Sequence, residues 1–470
     1  MVNPQSFGLY TDMYELTMGQ AYYEEGIADI SACFDYFFRT NPFEGGYVVF
    51  AGLQDALEIL AGLSFSRDDL DYLKSLNFSA EFIARLEKFR FHGDIDSVRE
   101  GEVIFPLEPA VRVEGTLLET QLIETVLLNI LNFQSLIATK ASRIRQAAGD
   151  RILSDFGLRR AHGLGGVQAS RAAVIGGFDS TSNVYSAFRY NLKPSGTMAH
   201  SYVESHDNEI TAFRRYAESH PDNSIFLVDT YDTLRSGVPN AITVAKEMER
   251  RGYRLLGIRL DSGDLAFLSK KARQMLDEAG LFYVKIVVSN LLDEYLIRSL
   301  LEQGAPIDIF GVGTRLVTGV PDAALDGIYK LAKVGGSPRL KVSESVSKIT
   351  LPGLKAIFRY VTKKGFFEAD AVGLVDEGPI ARIIHPYEPE KSFNLAPYDP
   401  DPLLFKVMEK GKILGESESI DGIALYARQR LNRLPAEHRR FENPHIYKVG
   451  LSEKLARLRD ELIQRHRKES

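Results

Sequence analysis

Seven short apolar runs in the middle of the chain close on polar residues able to do chemistry: Asp155, Asp179, His200, Asp229, Asp261, Asn290 and Thr314. Carboxylates accept hydrogen bonds from sugar hydroxyls or hold Mg2+ through its waters. An imidazole accepts a proton or a phosphoryl group. In "KPSGTMAHSYV" His200 ends the run and is followed by a hydroxyl, Ser201; the alternative there is a core histidine. In "GIRLDSGDL" Arg259 and Asp261 are two apart, so on a strand both side chains share one face and grip a phosphate and a hydroxyl of one substrate, or pair with each other. In "IFGVGTRL" Gly311 and Gly313 let the backbone approach an anion, and Thr314 adds a hydroxyl. In "SDFGLRRAHG" Phe156 precedes Arg159 and Arg160, which suits a flat anionic heteroaromatic ligand; for Phe156 alone, core packing is the alternative. "SIFLVDTYDTLRSG" carries Asp229 and Asp232, separated by two residues. At any single position a strand-end Asp is more often only a helix N-cap. Seven such positions in succession argue for a shared rim.

The elements that must build this rim lie between Ile152 and about Val334. The runs are "RILSDF", "AAVIGGFDS", "GTMAHS", "SIFLVDT", "LLGIRLDS", "VKIVVSN", "IDIFGVGT" and "GIYKLAKV". Amphipathic stretches separate them, among them "DLAFLSKKARQMLDEAG", which ends on the glycine expected past a helix. Near-continuous apolar strands alternating with helices predict a parallel sheet covered on both faces. Eight of them predict an α/β barrel whose active site opens at the C-terminal strand ends. Residues 1–150 mix helices with hairpin-like strands, and residues 335–470 return to strand-like and then helical sequence. The expected organisation is therefore a sandwich domain over 1–150, a catalytic barrel over 151–334, and a return to the sandwich with a C-terminal helix over 335–470. The tail "LSEKLARLRDELIQRHRKES" alternates charge at helical spacing and reads as a solvated helix.

Bulk properties narrow the function classes. The chain has 470 residues, too many for one small core. A formal net charge of −6 gives no general attraction to nucleic acid or acidic membranes, so neither partner is expected. The lone Cys33 excludes internal disulfides and cysteine-rich zinc sites. No basic segment leads into an apolar stretch at the start, and no charge-free run reaches membrane-spanning length. A cytoplasmic protein is expected. GxxxxGK[ST] is absent, so any ATP use is not of the P-loop kind.

The segments "YTDMYELTMGQAYY", "RTNPFEGGYVVFAGL", "SDFGLRRAHG", "GGFDSTSNV", "GTMAHSYV", "GIRLDSGDL", "VVSNLLDE" and "IFGVGTRLVTG", in this order, closely resemble the nicotinate phosphoribosyltransferase family. The resemblance implies the type II phosphoribosyltransferase fold, an irregular (β/α) barrel with an α/β sandwich domain. It implies transfer of phosphoribosyl from 5-phosphoribosyl 1-diphosphate (PRPP) to nicotinate, giving nicotinate mononucleotide and pyrophosphate in NAD biosynthesis, with ATP as co-substrate and Mg2+ required through water and diphosphate. It also implies a transient phosphohistidine at His200 and a homodimer with shared active sites. By similarity Asp229 and Asp261 hold ribose hydroxyls or Mg2+-bound water. Arg159, Arg259, Gly311, Gly313 and Thr314 serve phosphate, and Ser289 and Asn290 add polar contacts. Nicotinate is expected to stack between Phe156 and Tyr14 of the partner subunit. Relatives using nicotinamide carry an acid in the turn where Thr181 and Ser182 stand here, so a carboxylate-bearing base is expected. Rivals are a nicotinamide or quinolinate phosphoribosyltransferase, and a phosphate-sugar aldolase or isomerase, for which Lys330 and Lys333 are the candidate lysines.

Overall fold

The computed structural model describes residues 6–344 and 348–469. The chain divides into two compact units, one made of Met1–Thr139 with Ala324–Ser470 and the other of Lys140–Ala323. In the first unit the strand Ser31–Phe38 lies between Gly327–Val334 and Val111–Thr116 in a seven-stranded antiparallel sheet, so early and late sequence share one ladder. Seven of its eight residues are buried, which fits the aromatic run "CFDYFF". A second, mixed sheet of six strands carries Lys355–Val361 beside Phe367–Leu374.

Between these strands and the preceding chain lies a cluster of charges closed to water. Arg359 is 0% exposed and donates Nε and Nη2 to Asp370, at 3.0 and 2.6 Å, and Nη1 to Glu102 at 2.6 Å. Arg430 Nε donates to Glu102 at 2.8 Å and the Tyr447 hydroxyl to Asp370 at 2.9 Å. Burial, and then Asp370 beside it, push the Glu108 carboxyl well above the usual range. Buried ions survive only when paired in this way.

The second unit holds six parallel strands: β1 (Ile152–Asp155), β2 (Ser180–Thr181), β3 (Ile225–Leu227), β4 (Gly257–Leu260), β5 (Lys285–Ser289) and β6 (Ile309–Val312). Their order is β2-β1-β6-β5-β4-β3. Every pairing is parallel, so all C-terminal ends face one way. The Ile, Val and Leu content of these runs matches strands covered on both faces. Helix Leu265–Glu278 follows β4 with Asp264 as its cap, the side chain accepting from the Phe267 N–H at 3.0 Å.

Two of the eight expected strands are not there, and a third is much reduced. "GTMAHS" is a loop leading into a helix, His200–Glu204; it contains one β-branched residue, and Met, Ala and His do not favour a strand. "GIYKLAKV" is a strand, but it pairs antiparallel with Ser31–Phe38 in the other unit. Its Lys330 and Lys333 are incompatible with a strand buried on both faces, so neither stands at the end of a parallel strand, where the aldolase reading would need a lysine. Lys330 instead pairs with Glu124 at 3.6 Å. The "AAVIGG" run belongs to the helix Gly165–Ile175, as its alanines favour, and leaves only Ser180–Thr181 as strand. The long apolar segment after residue 116 is two helices, Leu117–Leu122 and Glu124–Ala148. No helix among the described residues is long and apolar enough to cross a membrane.

Candidate active site

Beyond the ends of β3 and β4 the chain sets two carboxylates against one imidazole. The Asp229 side chain is 1% exposed. Its Oδ2 accepts from the Asp261 N–H at 2.8 Å and from the Ser262 hydroxyl at 2.7 Å. Its Oδ1 is buried and has no hydrogen-bond partner among the described residues. That oxygen lies 4.0 Å from His200 Nε2, and Asp261 Oδ2 lies 3.9 Å from the same nitrogen. Both separations exceed a hydrogen bond. The other ring nitrogen, Nδ1, is 3.1 Å from the Thr230 hydroxyl. The imidazole is 39% exposed, so it is held and still reachable.

Arg259 braces the floor. Its Nε donates to Ser289 Oγ at 2.9 Å, Nη1 to Thr197 Oγ1 at 3.0 Å and Nη2 to Asp261 Oδ1 at 3.0 Å. The Ser289 hydroxyl also donates to Asp261. The internal ion pair weighed as an alternative for Arg259 and Asp261 is thus present. The guanidinium carbon also sits 5.3 Å from the centre of the Phe156 ring, within cation–π range. Phe156 follows β1, and its ring fills the space that a side chain at Gly311 would need. At Gly313 a Cβ would stand 3.1 Å from the Phe156 carbonyl oxygen. The two glycines therefore admit Phe156 as their first physical role.

The remaining candidates separate. Thr314 opens the four-residue helix Thr314–Val317 after Gly313. Asn290 is exposed past β5, at φ +91°. Ser201 is exposed on the helix begun by His200, and Arg159 and Arg160 are exposed on the turn Leu158–Arg160. Ser182 donates its N–H to the Asp155 carbonyl at 2.8 Å. Thr181 is 0% exposed, and its hydroxyl donates to Asp155 Oδ2 at 2.7 Å. Asp155 is itself fully buried, accepting also from Ser170 Oγ and Gly157 N–H; burial raises its carboxyl above the usual range. Asp179 is spent on Arg145, at 2.5 Å, and on the Leu153 N–H. Asp232 caps its own turn through the Leu234 and Arg235 N–H groups. Tyr14 belongs to the other unit, half-exposed on the helix Met13–Glu24, its phenol pushed up by partial burial and by Glu124.

Three hydroxyls of the site escaped the sequence reading: Thr197, Thr230 and Ser262. A signal existed, since Thr230 and Ser262 each follow a strand-end Asp directly. Among the described residues no group of three or more His, Cys, Asp or Glu side chains is placed to hold a metal. The orphaned Asp229 oxygen beside the Asp261 carboxylate fits Mg2+ in its usual manner, through one or two carboxylates with waters and substrate phosphate.

Residues 9–132 match the nicotinate phosphoribosyltransferase N-terminal domain, 152–362 the nicotinate phosphoribosyltransferase family and 354–459 its C-terminal domain. The chain is 45% identical over 459 residues to nicotinate phosphoribosyltransferase of Bacillus subtilis (strain 168), covering 95% of this chain and 93% of the relative. It is 37% identical over 514 residues to that of Caenorhabditis elegans, covering 95% and 92%. A crystal structure of human nicotinic acid phosphoribosyltransferase superposes with a TM-score of 0.87 at 33% identity, covering 96% of this chain and 99% of that one. With likeness of sequence and of fold both running nearly end to end, the chain belongs to the nicotinate phosphoribosyltransferase family.

Proposed function

We propose that the chain transfers phosphoribosyl from PRPP to nicotinate, forming nicotinate mononucleotide and pyrophosphate in NAD biosynthesis, and couples this to ATP hydrolysis through His200. The observation that carries the reading is the open corner of the site, a buried Asp229 oxygen without a partner among the described residues, facing a reachable imidazole across 4.0 Å. Space of this kind between fixed charges is where a ligand's hydroxyl or a hydrated cation completes the hydrogen bonding. The six-stranded sheet is read as part of an irregular type II phosphoribosyltransferase barrel, a homodimer as the working form, and the cytoplasm as its place.

In the transfer step the pyridine nitrogen attacks C1 of the ribose while the C1–O bond to diphosphate breaks, and the leaving group departs with that electron pair. The nitrogen carries no proton to lose, so the site needs no general base. Its work is positioning and charge stabilisation. Asp229 and Asp261 orient the ribose hydroxyls, and Ser289, Asn290, Gly313 and Thr314 line the anionic end, with Arg159 on the exposed turn beside it. Arg259, set against the Phe156 face, suits the carboxylate of a ring stacked there. Thr181 and Ser182 act through the turn that carries them. Nicotinate is favoured over nicotinamide because both nearby acids, Asp155 and Asp179, are engaged elsewhere. Tyr14 of the partner subunit is the second wall for the ring. Asp229 and Asp261 would hold Mg2+ through its waters, and the ion would supply positive charge against the departing diphosphate. In the coupled step the γ-phosphoryl of ATP moves to a His200 nitrogen as ADP leaves, and water later cleaves the N–P bond. The added charge and acceptor oxygens reorder the neighbouring rim.

One assay tests the reading: PRPP and Mg2+ with nicotinate, nicotinamide or quinolinate, each with and without ATP. Nicotinate mononucleotide is the expected product, made faster with ATP. His200→Ala is expected to abolish ATP hydrolysis and phosphoenzyme while slow transfer persists. Undiminished ATP stimulation in that variant overturns the role of His200.

A further inference from the structure

Strands β5 and β6 pair as far as Ser289 and Gly311, and beyond that point no ladder holds their loops together. The chain after β5 turns through Asn290 and Leu291, at φ +91° and +38°, two consecutive residues in a region that side chains disfavour. Such a turn persists where its surroundings over-determine it. On its near side Ser289 is tied to Arg259 and Asp261. On its far side Asp293 and Glu294 begin the helix Glu294–Glu302. Glu294 is fully buried and accepts from Arg143 Nε at 2.8 Å. The two Asp293 oxygens divide their work. Oδ1 caps the helix, accepting from the Leu296 N–H at 2.8 Å, and Oδ2 pairs with Arg315 at 3.0 Å. Capping alone needs only the first. Arg315 directly follows Thr314, so the pair straps the loop after β5 to the loop after β6, with the carboxylate only 11% exposed.

We propose that Asp293 and Arg315 are positioning residues that lock the Asn290–Leu291 turn to the Gly313–Thr314 loop, so that both loops present one preformed cradle to the diphosphate-bearing sugar. This rests on the PRPP reading above. It concerns residues that touch neither the imidazole nor the carboxylates around it.

The test is initial-rate kinetics on the full chain with PRPP and nicotinate varied separately. Asp293→Asn keeps the capping oxygen and removes the charge; Arg315→Gln removes the other partner. Each is expected to raise KM for PRPP about threefold to fivefold, the range of a partly exposed ion pair. The loss falls on that constant rather than on kcat or on KM for nicotinate. The double variant is expected to be no worse than the weaker single one, as for partners in one interaction, and Arg315→Lys to recover most of the loss. Additive losses, an equal rise in KM for nicotinate, or an unmoved KM for PRPP overturns the proposal. So does an effect of Arg315→Gln without one of Asp293→Asn, which means that Arg315 grips phosphate itself. Wild-type chain that makes no nicotinate mononucleotide overturns the PRPP reading and this proposal together; wild-type turnover with unmoved variants overturns the proposal alone.

Discussion

Two of the clusters in which opposite charges meet, around Arg359 and around Asp229, are built differently. Around Arg359 the guanidinium meets Asp370 bidentately and Glu102 end-on, with tyrosine hydroxyls and a second arginine closing the circle. Its central side chains, Arg359 and Asp370, are 0% exposed. Around Asp229 the charges also pair, Arg259 with Asp261, but one face stays open. Asp261 is 30% and His200 39% exposed, and the inner oxygen of Asp229 lacks a partner among the described residues. The first cluster is closed to water and fixes the fold locally, even though Glu108 Oε1 and Arg430 Nη2 are buried without a partner among the described residues. The second leaves part of its bonding capacity for something not in the chain. Buried charge alone therefore does not mark a functional site; an unfilled valence beside a reachable reactive group does.

Substitutions that separate stability from activity sharpen this contrast. Arg359→Met leaves Asp370 and Glu102 buried without their cation, and is expected to lower unfolding free energy by about 3–5 kcal/mol. Chemical denaturation reads this directly, and a loss below about 1 kcal/mol means the cluster is not the structural element described. Asp229→Asn keeps an acceptor for the Asp261 N–H and Ser262 and removes the charge. Its expected cost is about 100-fold in kcat/KM for PRPP, with unfolding shifted by less than about 1 kcal/mol. Unfolding comparable to Arg359→Met erases the distinction between the clusters. Thr181→Val tests a residue in the second unit that behaves like the first cluster. Losing its hydroxyl strips Asp155 of one donor and is expected to cost about 1–3 kcal/mol of stability. The preference for nicotinate over nicotinamide is expected to hold. If that preference collapses with stability intact, the hydroxyl meets the base after all.

Much of the candidate site was legible because strand-end residues are local. Asp229, Asp261, Ser289 and Thr314 follow or end β-branched apolar runs, and parallel pairing brings such ends to one rim. His200 was expected to end a strand and starts a helix instead. Its neighbours decide its surroundings more than its own segment does. Asp155 and Asp179 looked equivalent to Asp229 and Asp261 in sequence. Tertiary packing turned Asp155 inward, onto Ser170 and Thr181, and paired the half-exposed Asp179 with Arg145.

By itself the sequence determined the alternation of strands and helices through the second unit, the absence of disulfides, and the residue types available at the rim. These follow from periodicity and composition, which act over a few residues. Only the tertiary structure decided which acids gather beside the imidazole and which bond elsewhere, and that "GIYKLAKV" joins a sheet begun nearly three hundred residues earlier. Those outcomes depend on which distant side chains compete for each hydrogen bond and each buried face, and no local pattern records that competition.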